Sequence, residues 1–436
     1  MRKWLSLGCP AVLLAWSAAC FATQHAWMRV HHWQTNNGLY VWYVYRPQVP
    51  MLDLRLVVQA GSAFSMTPGL AWMTAHGLSM GAAGITETQI AQGFAQSGAR
   101  FHVRIGREIA LFSLKSLVDP ANLQVATAVF SSVLGSPTFP PEVLAVRKSQ
   151  HLADLKLQDE RHMKLAYNLL YRQLYPHSAY GQPAAGTAAS ISAIDAAALK
   201  AFYNQYYVAR NMCLILVGDI TPIEAKAIGQ QISNVLPMGM AASPPKIQRN
   251  TNHRHEFIRQ NHHAQQAIVL VGTRAVPVSE SNYWASVVAA EVLGGENSRL
   301  YQTISGQNGW VYRFGAYATG VVLPGIFTVF AETRTQNIEQ VLATLRPAVT
   351  ALAEQGPAPA ELALAKQVIL GRLLLRLSSD DGVSSRLVWL AENHLPADDL
   401  NQVAEKISAV TMAQVTQVLQ QLMRHQPKAV VVVGQV

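Results

Sequence analysis

The chain has 436 residues, half of them hydrophobic and 14% charged, a balance that excludes a disordered polyelectrolyte and allows two or more packed domains. Its formal charge is +9, but the basic residues are scattered, without blocks or aromatic-interleaved repeats, which argues against a nucleic-acid partner. After the N-terminus no apolar run reaches the ~18–20 residues that a membrane-spanning helix needs.

The N-terminus, "MRKWLSLGCPAVLLAWSAACFATQ", has a basic start, a short apolar stretch and small residues before Ala22. This is the layout of a secretory signal peptide. It predicts a signal peptide over 1–22, cut after Ala22, and therefore an exported, periplasmic protein. "SAAC", ending at Cys20, resembles a lipoprotein site, but Ser17 stands where a large aliphatic is usual, so lipidation is not expected. Cleavage removes Arg2 and Lys3, leaving +7, and removes Cys9 and Cys20. Cys213 is then the sole cysteine and no internal disulfide can form.

"LRLVVQAGSA" (54–63) reads as a buried strand, and "QAIVLVGT" (266–273) repeats its form with Gly272 lying 211 residues after Gly61. A second pair is closer. "SAIDAAALKAFYNQYYVARNMCLILVGDI" from Ser192 and "SAVTMAQVTQVLQQLMRHQPKAVVVVGQV" from Ser408 each run from an amphipathic helix into an apolar strand. The strands end at Gly218 and Gly434, and both ends of the pair are 216 residues apart. A shared offset at both ends predicts a duplicated domain, far longer than a solenoid repeat. The Pro-rich, polar stretch 236–254 reads as a linker, dividing the mature chain into 23–235 and 255–436. Long helical patterns occupy 120–134 and 141–174 in the first part, and 337–355 and 358–395 in the second. Strands alternating with such helices predict an α+β fold, each domain a mixed sheet with helices on one face.

Between these elements lies "GLAWMTAHGLSMG" (69–81). It resembles the "GLAHxxEHMxFxG" helix of the inverted-motif (HxxEH) zinc peptidases, the M16 family of pitrilysin, insulin-degrading enzyme and mitochondrial processing peptidase. Three further stretches resemble that family in the same order: "QSGARFHVRIGREIALFSLKSL" (96–117), "LYPHSAYGQP" (174–183) and "VLGGENSRLYQTISGQNGWVY" (292–312). The resemblance spans essentially the whole mature chain. It implies two α/β-sandwich-like domains forming half of a clamshell.

In active relatives two histidines four apart grip zinc, the glutamate before the second activates water, and an acidic ligand follows about 76 residues later. Here Trp72 replaces the first histidine and Ala75 the glutamate, while His76 is kept. The third position falls near Ala153, where Asp154 is the nearest carboxylate. One histidine and an offset acid do not make a catalytic zinc site, and no base remains. His76 is then expected to be a buried or half-buried histidine satisfied by hydrogen bonds, with Trp72 filling the vacated volume. No metal or cofactor is expected in this chain.

The resemblance also implies a use for such a chain. In two-subunit relatives the zinc-free partner supplies an Arg and, seven residues later, a Tyr that hold the substrate carbonyl and the transition-state oxygen. Tyr312 matches the Tyr, and Ser305 stands at the Arg position. On a regular strand Arg313 would face away from Tyr312; Arg299, in "SRL", is the better candidate for the missing charge, although the resemblance implies a structural role for it. Among the other histidines, "HRHEFIRQNHH" (253–263) reads as a solvated strand edge, and "VHHW" (30–33) and "QDERHM" (158–163) lack ligand spacing. Cys213 reads as a strand-core residue. Two readings stand. The chain is the non-catalytic subunit of a heterodimeric zinc peptidase, inactive alone, partnered by an HxxEH homologue and enclosing peptide; alternatively it is a non-enzymatic peptide-binding or scaffold protein of the same fold.

Overall fold

The computed structural model describes residues 28–435 apart from 160, 246, 248–254, 321, 323, 426 and 427. The signal-peptide segment, Ala22 and Cys20 lie outside the described residues, as do 246 and 248–254 of the 236–254 stretch.

Eight strands belong to the first half: β1 (His31–Gln34), β2 (Tyr40–Tyr45), β3 (Met51–Val58), β4 (Gly81–Ala82), β5 (Ile85–Thr86), β6 (Arg100–Ile105), β7 (Ala110–Leu117) and β8 (Met212–Gly218). Its helices are α1 (Leu70–Gly77), α2 (Glu87–Gln96), α3 (Pro120–Gly135), α4 (Pro141–Asp159), α5 (His162–Leu174), α6 (Ala188–Ala193), α7 (Ala196–Tyr206) and α8 (Pro222–Val235). The second half contributes β9 (His255–Asn261), β10 (Gln266–Arg274), β11 (Val311–Gly320), β12 (Pro324–Arg334) and β13 (Lys428–Gly434). With them come α9 (Tyr283–Gly294), α10 (Arg299–Tyr301), α11 (Ile338–Gln355), α12 (Pro359–Leu377), α13 (Asp380–Glu392), α14 (Val403–Ser408) and α15 (Met412–His425).

The large sheets run β1-β2-β8-β3-β7-β6 and β9-β13-β10-β12-β11. Apart from β1 the two orders correspond strand for strand. Directions agree too: β2–β8 and β13–β9 are parallel, whereas β3 and β10 are antiparallel to both neighbours. Leu54 pairs with Leu114 and Leu216, as Leu270 pairs with Phe330 and Val431. Both sheets are mixed, with each half's own helices packed on one face, as the sequence leads one to expect.

Strand alternation then decides what covers the opposite faces. In β3, Leu52, Leu54, Leu56 and Val58 join the core under their own helices, while Val57 points the other way with Asp53 and Arg55. That second face is covered by α13 from the other half, through Val383, Leu387, Val388 and Leu390. The reciprocal face of β10 carries Ile268 and Leu270, and it is covered by α5 from the first half through Ala166, Leu169 and Leu170. Gly272 is required there, because a Cβ would sit 2.9 Å from both methyl carbons of Leu170. The C-terminal carbonyl of α5 accepts a hydrogen bond from Arg274 Nε of the sheet it covers, Leu174 O lying at 2.7 Å. The two exchanged helices occupy equivalent positions in the halves, α13 beginning at 380 and α5 at 162. Each half therefore completes the other's sheet.

Candidate functional site: a tryptophan between two histidines

Helix α1 starts at Gly69, whose φ of 85° is in the left-handed region. A Cβ there would stand 2.6 Å from Ile191 and 2.9 Å from the backbone of Gly186. The helix buries Ala71, Met73, Thr74 and Ala75 against the first core and leaves Trp72 and His76 half-buried, one turn apart on one face. His76 Nδ1 lies 2.9 Å from the Trp72 carbonyl, so the ring donates from Nδ1 and carries its lone pair on Nε2.

A third ring, from α4, completes the arrangement. Trp72 stacks on His76 with centroids 3.9 Å apart and on His151 with centroids 3.6 Å apart, the planes within 19° and 17° of parallel. Two imidazoles at these separations cannot share one face of the indole without overlapping. The indole therefore lies between them. His151 is 2% exposed, and its Nε2 donates to Ala185 O at 2.7 Å. Its Nδ1 is buried without a hydrogen-bond partner.

The sequence places the third position near Ala153, but Ala153 and Asp154 are exposed. The residue of α4 that reaches the stack is His151, two positions earlier. The spacing from His76 is the signal that could have found it.

Both imidazoles are held neutral. Burial is the main cause for each, and it pushes His76 down to about 4; the neighbouring basic groups His151, His102 and Arg147 each disfavour a further positive charge on the ring, while the Trp72 carbonyl opposes the shift. His151 is lowered chiefly by burial, against the Ala185 carbonyl. The folded value of His76 lies below the ordinary 6.5, so folding favours the uncharged ring. The stability this contributes is full above about pH 6.5 and is lost as pH falls towards 4. The wild-type chain is expected to lose about 2 kcal/mol across that window, discounted for the partial exposure of the ring. His76→Gln flattens that segment of the curve, as denaturant titrations at pH 7, 5.5 and 4.5 would measure.

The residues present do not fit a catalytic zinc. Among the described residues no three His, Cys, Asp or Glu side chains gather as a metal requires, and the indole occupies the space between the two imidazoles. At Ala75 there is a buried methyl group where a base would stand.

Tyr312 lies elsewhere, 53% exposed on β11. The pairing with β12 shifts between Val311 and Arg313, a bulge that breaks strict alternation. Tyr312 and Arg313 are consequently both exposed, contrary to the regular-strand expectation. Arg334, at the end of β12, donates from Nε to the Tyr312 hydroxyl at 2.8 Å. No sequence pattern links residues 312 and 334; the hairpin does. Ser305 sits half-buried in a π-helical turn, Gln302–Gln307. Arg299 is engaged by Glu361 through two contacts, of 2.5 and 3.1 Å. Cys213 is a free thiol in β8, pushed up by burial. The described part of "HRHEFIRQNHH" forms the edge strand β9 and its exit.

A family model described as Insulinase (Peptidase family M16) matches residues 40–188, and one described as Peptidase M16 inactive domain matches residues 193–369. The chain is 22% identical over 400 residues to a Bacillus subtilis protein named uncharacterized zinc protease YmxG, covering 90% of this chain and 95% of that one. It is 25% identical over 326 residues to an uncharacterized zinc protease of Rickettsia bellii, with 73% and 77% covered. Among solved structures, a peptidase M16 inactive domain from Pseudomonas fluorescens matches with a TM-score of 0.87 and 29% identity over 94% of this chain and 98% of that one. The first half of the periplasmic protease PqqL from Escherichia coli matches with a TM-score of 0.75 and 18% identity, over 93% and 92%, a likeness of fold. Two family models lie in succession along the chain, and the fold is shared over 94% of it with the Pseudomonas fluorescens structure. The chain belongs to the M16 (insulinase) peptidase family.

Proposed function

We propose that this chain is the non-catalytic subunit of an exported, two-subunit zinc peptidase, inactive alone and joined to an HxxEH homologue that carries the metal and the base. The mature protein runs from residue 23 as two duplicated domains, 23–235 and 255–436. The observation that carries this reading is the Trp72 ring lodged between His76 and His151, with Ala75 beside it: the site is filled, so any catalytic zinc belongs to the partner. Tyr312 supports a positive contribution. Its hydroxyl accepts from Arg334, which leaves its own proton free to donate and polarises it towards a substrate carbonyl.

The test is reconstitution. A 1:1 complex with an exported HxxEH homologue is expected to cleave unfolded peptide faster than the homologue alone. Tyr312→Phe is expected to lower kcat about tenfold with assembly unchanged, because it removes one hydroxyl and little packing area. Arg334→Gln acts in the same direction. Absence of a complex with any such homologue refutes the subunit reading. The alternative, a peptide-binding scaffold, draws on Ser305, which brings no charge to the position where relatives place Arg. It is the conclusion if the complex forms but Tyr312→Phe leaves its rate unchanged.

A further inference from the structure

A cavity of about 1060 Å³ opens between the two halves, walled by the edge strands β6 and β11 and by α9, α12 and α13. Its charge is lopsided, with seven arginine and lysine side chains on the lining against three carboxylates. The acids are already committed or weakened. Asp381 is bound by Arg55 and Lys115 at 2.8 Å each, and Glu291 by Arg372 at 2.7 Å. The Glu392 carboxyl is pushed up to about 7 by burial, which the nearby Arg104 only partly opposes. That leaves Arg100, Arg104, Arg376 and Arg386 without an ion pair among the described residues.

Arg386 is the most exacting of the four. Its guanidinium lies 3.9 Å from the Trp389 ring centre and 5.6 Å from that of Trp284. Its Nε and Nη2 are buried with no hydrogen-bond partner. Trp389 is itself fixed, donating from Nε1 to Gly320 O at 3.2 Å, so the guanidinium rests on a rigid plate. Asp399 lends some favourable field, but its carboxylate is held by Lys406 at 2.7 Å. Arg376 lies close enough to repel Arg386, and burial together with this neighbour lowers Arg386 to about 10. It stays charged at neutral pH. Two neighbouring cations, Arg386 with unfilled buried donors and Arg376 exposed beside it, are arranged in a cavity of this size to receive an oxyanion.

We propose that this cavity is a binding site for an acidic peptide segment, with Arg386 and Arg376 holding a carboxylate and the Trp284 and Trp389 faces packing its apolar neighbours. The volume is at the upper end for small-ligand sites and suits several residues of chain. The walls alternate guanidinium groups with aromatic and aliphatic surface, which fits carboxylate and apolar side chains in alternation. A phosphate cradle is disfavoured: of the helix N-termini at the cavity, that of α13 carries Asp380 and Asp381 in its first turn, and that of α9 presents the bulky Tyr283 and Trp284 rings. This site deepens the peptide-enclosing role proposed above by naming a peptide class. It is tested on this chain alone, so its failure and that of the subunit reading are separate.

The probe is a fluorescein-labelled ten-residue peptide rich in Glu and Phe, followed by anisotropy, beside a Lys-for-Glu version of the same peptide and inorganic phosphate as competitor. The wild-type chain is expected to bind the acidic peptide with a micromolar Kd that weakens with salt. Arg386→Gln weakens it at least tenfold, Arg376→Gln several-fold, and Arg147→Gln, which lies outside the cavity, not at all. If Arg386→Gln fails to fold, as judged by its thermal transition, Arg376→Gln and Arg100→Gln carry the test. Absence of acidic-peptide binding, equal binding of the Lys peptide, or indifference to the cavity variants overturns the proposal. Displacement by phosphate at concentrations matching the peptide's own affinity overturns the peptide assignment in favour of a general oxyanion site.

Discussion

Trp72→His is expected to open a site that holds a single zinc ion where the described residues gather no metal-binding cluster. The substitution removes the plate that separates His76 from His151 and adds an imidazole one turn before His76 on the same helical face. Each resident histidine spends one ring nitrogen on a backbone carbonyl, Trp72 O or Ala185 O. Each therefore has one nitrogen to offer a metal, already oriented by its carbonyl partner. Three imidazoles with an open fourth position form a zinc site of the catalytic kind. Without metal the variant is expected to lose about 3 kcal/mol, since a large ring leaves a packed site. Zinc at a thousand times its Kd restores about 4 kcal/mol. Elemental analysis checks this directly: one zinc per variant chain, none in wild type, and none when His151→Ala is added. A zinc-free Trp72→His chain would mean that the two imidazoles cannot converge. Adding Ala75→Glu supplies the missing base, and any hydrolysis is expected only in that combination.

Arg55→Met is the second large effect, on stability and not on metal. Arg55 bridges the halves: its Nε and Nη2 bind Asp53 at 3.0 and 2.9 Å, Nη2 also binds Asp381 at 2.8 Å, and Nη1 binds Ser385 Oγ at 2.9 Å. The side chains of Arg55 and Asp53 are only 9% and 4% exposed. Removing the arginine strands the Asp53 charge under α13 with Lys115, 4.0 Å away, as its nearest cation. Breaking a buried pair from one side costs ~3–5 kcal/mol. Asp381→Asn is the internal control. Asp381 is 61% exposed, and a solvated pair is worth ~0–1 kcal/mol. Equilibrium unfolding in urea should rank the two far apart, and the double variant Asp53→Leu/Arg55→Met should regain most of the loss, because neither buried charge is then left alone. Equal effects of Arg55→Met and Asp381→Asn would show that the face under α13 is wetter than its packing implies.

Much of this molecule could be read from local pattern. The runs read as strands at 54–63 and 266–273 became the central strands β3, which ends at Val58, and β10, and the helix-to-strand blocks from Ser192 and Ser408 became equivalent units ending at β8 and β13. These signals are local, resting on side-chain period and turn residues within a single segment, and a sequence displays them directly. The loss of the HxxEH residues at Trp72 and Ala75 was legible for the same reason, since ligand and base positions lie within one turn of one helix.

The sequence by itself determined the two-layer design of each half, the correspondence between the halves and the absence of the family's metal-and-base set from helix α1. Only the tertiary structure decided which rings meet. His151 joins Trp72 because α4 packs over α1, Arg334 reaches Tyr312 because a bulged hairpin brings 22 residues of separation into contact, and Arg386 faces a cavity because α13 crosses to the other half's sheet. Beyond the interval from His76 to His151, none of these contacts has a spacing in the chain that would single it out. Contacts of this kind are set by how whole elements dock, and docking is governed by the summed shape and apolar area of many side chains, so no short stretch of sequence contains it.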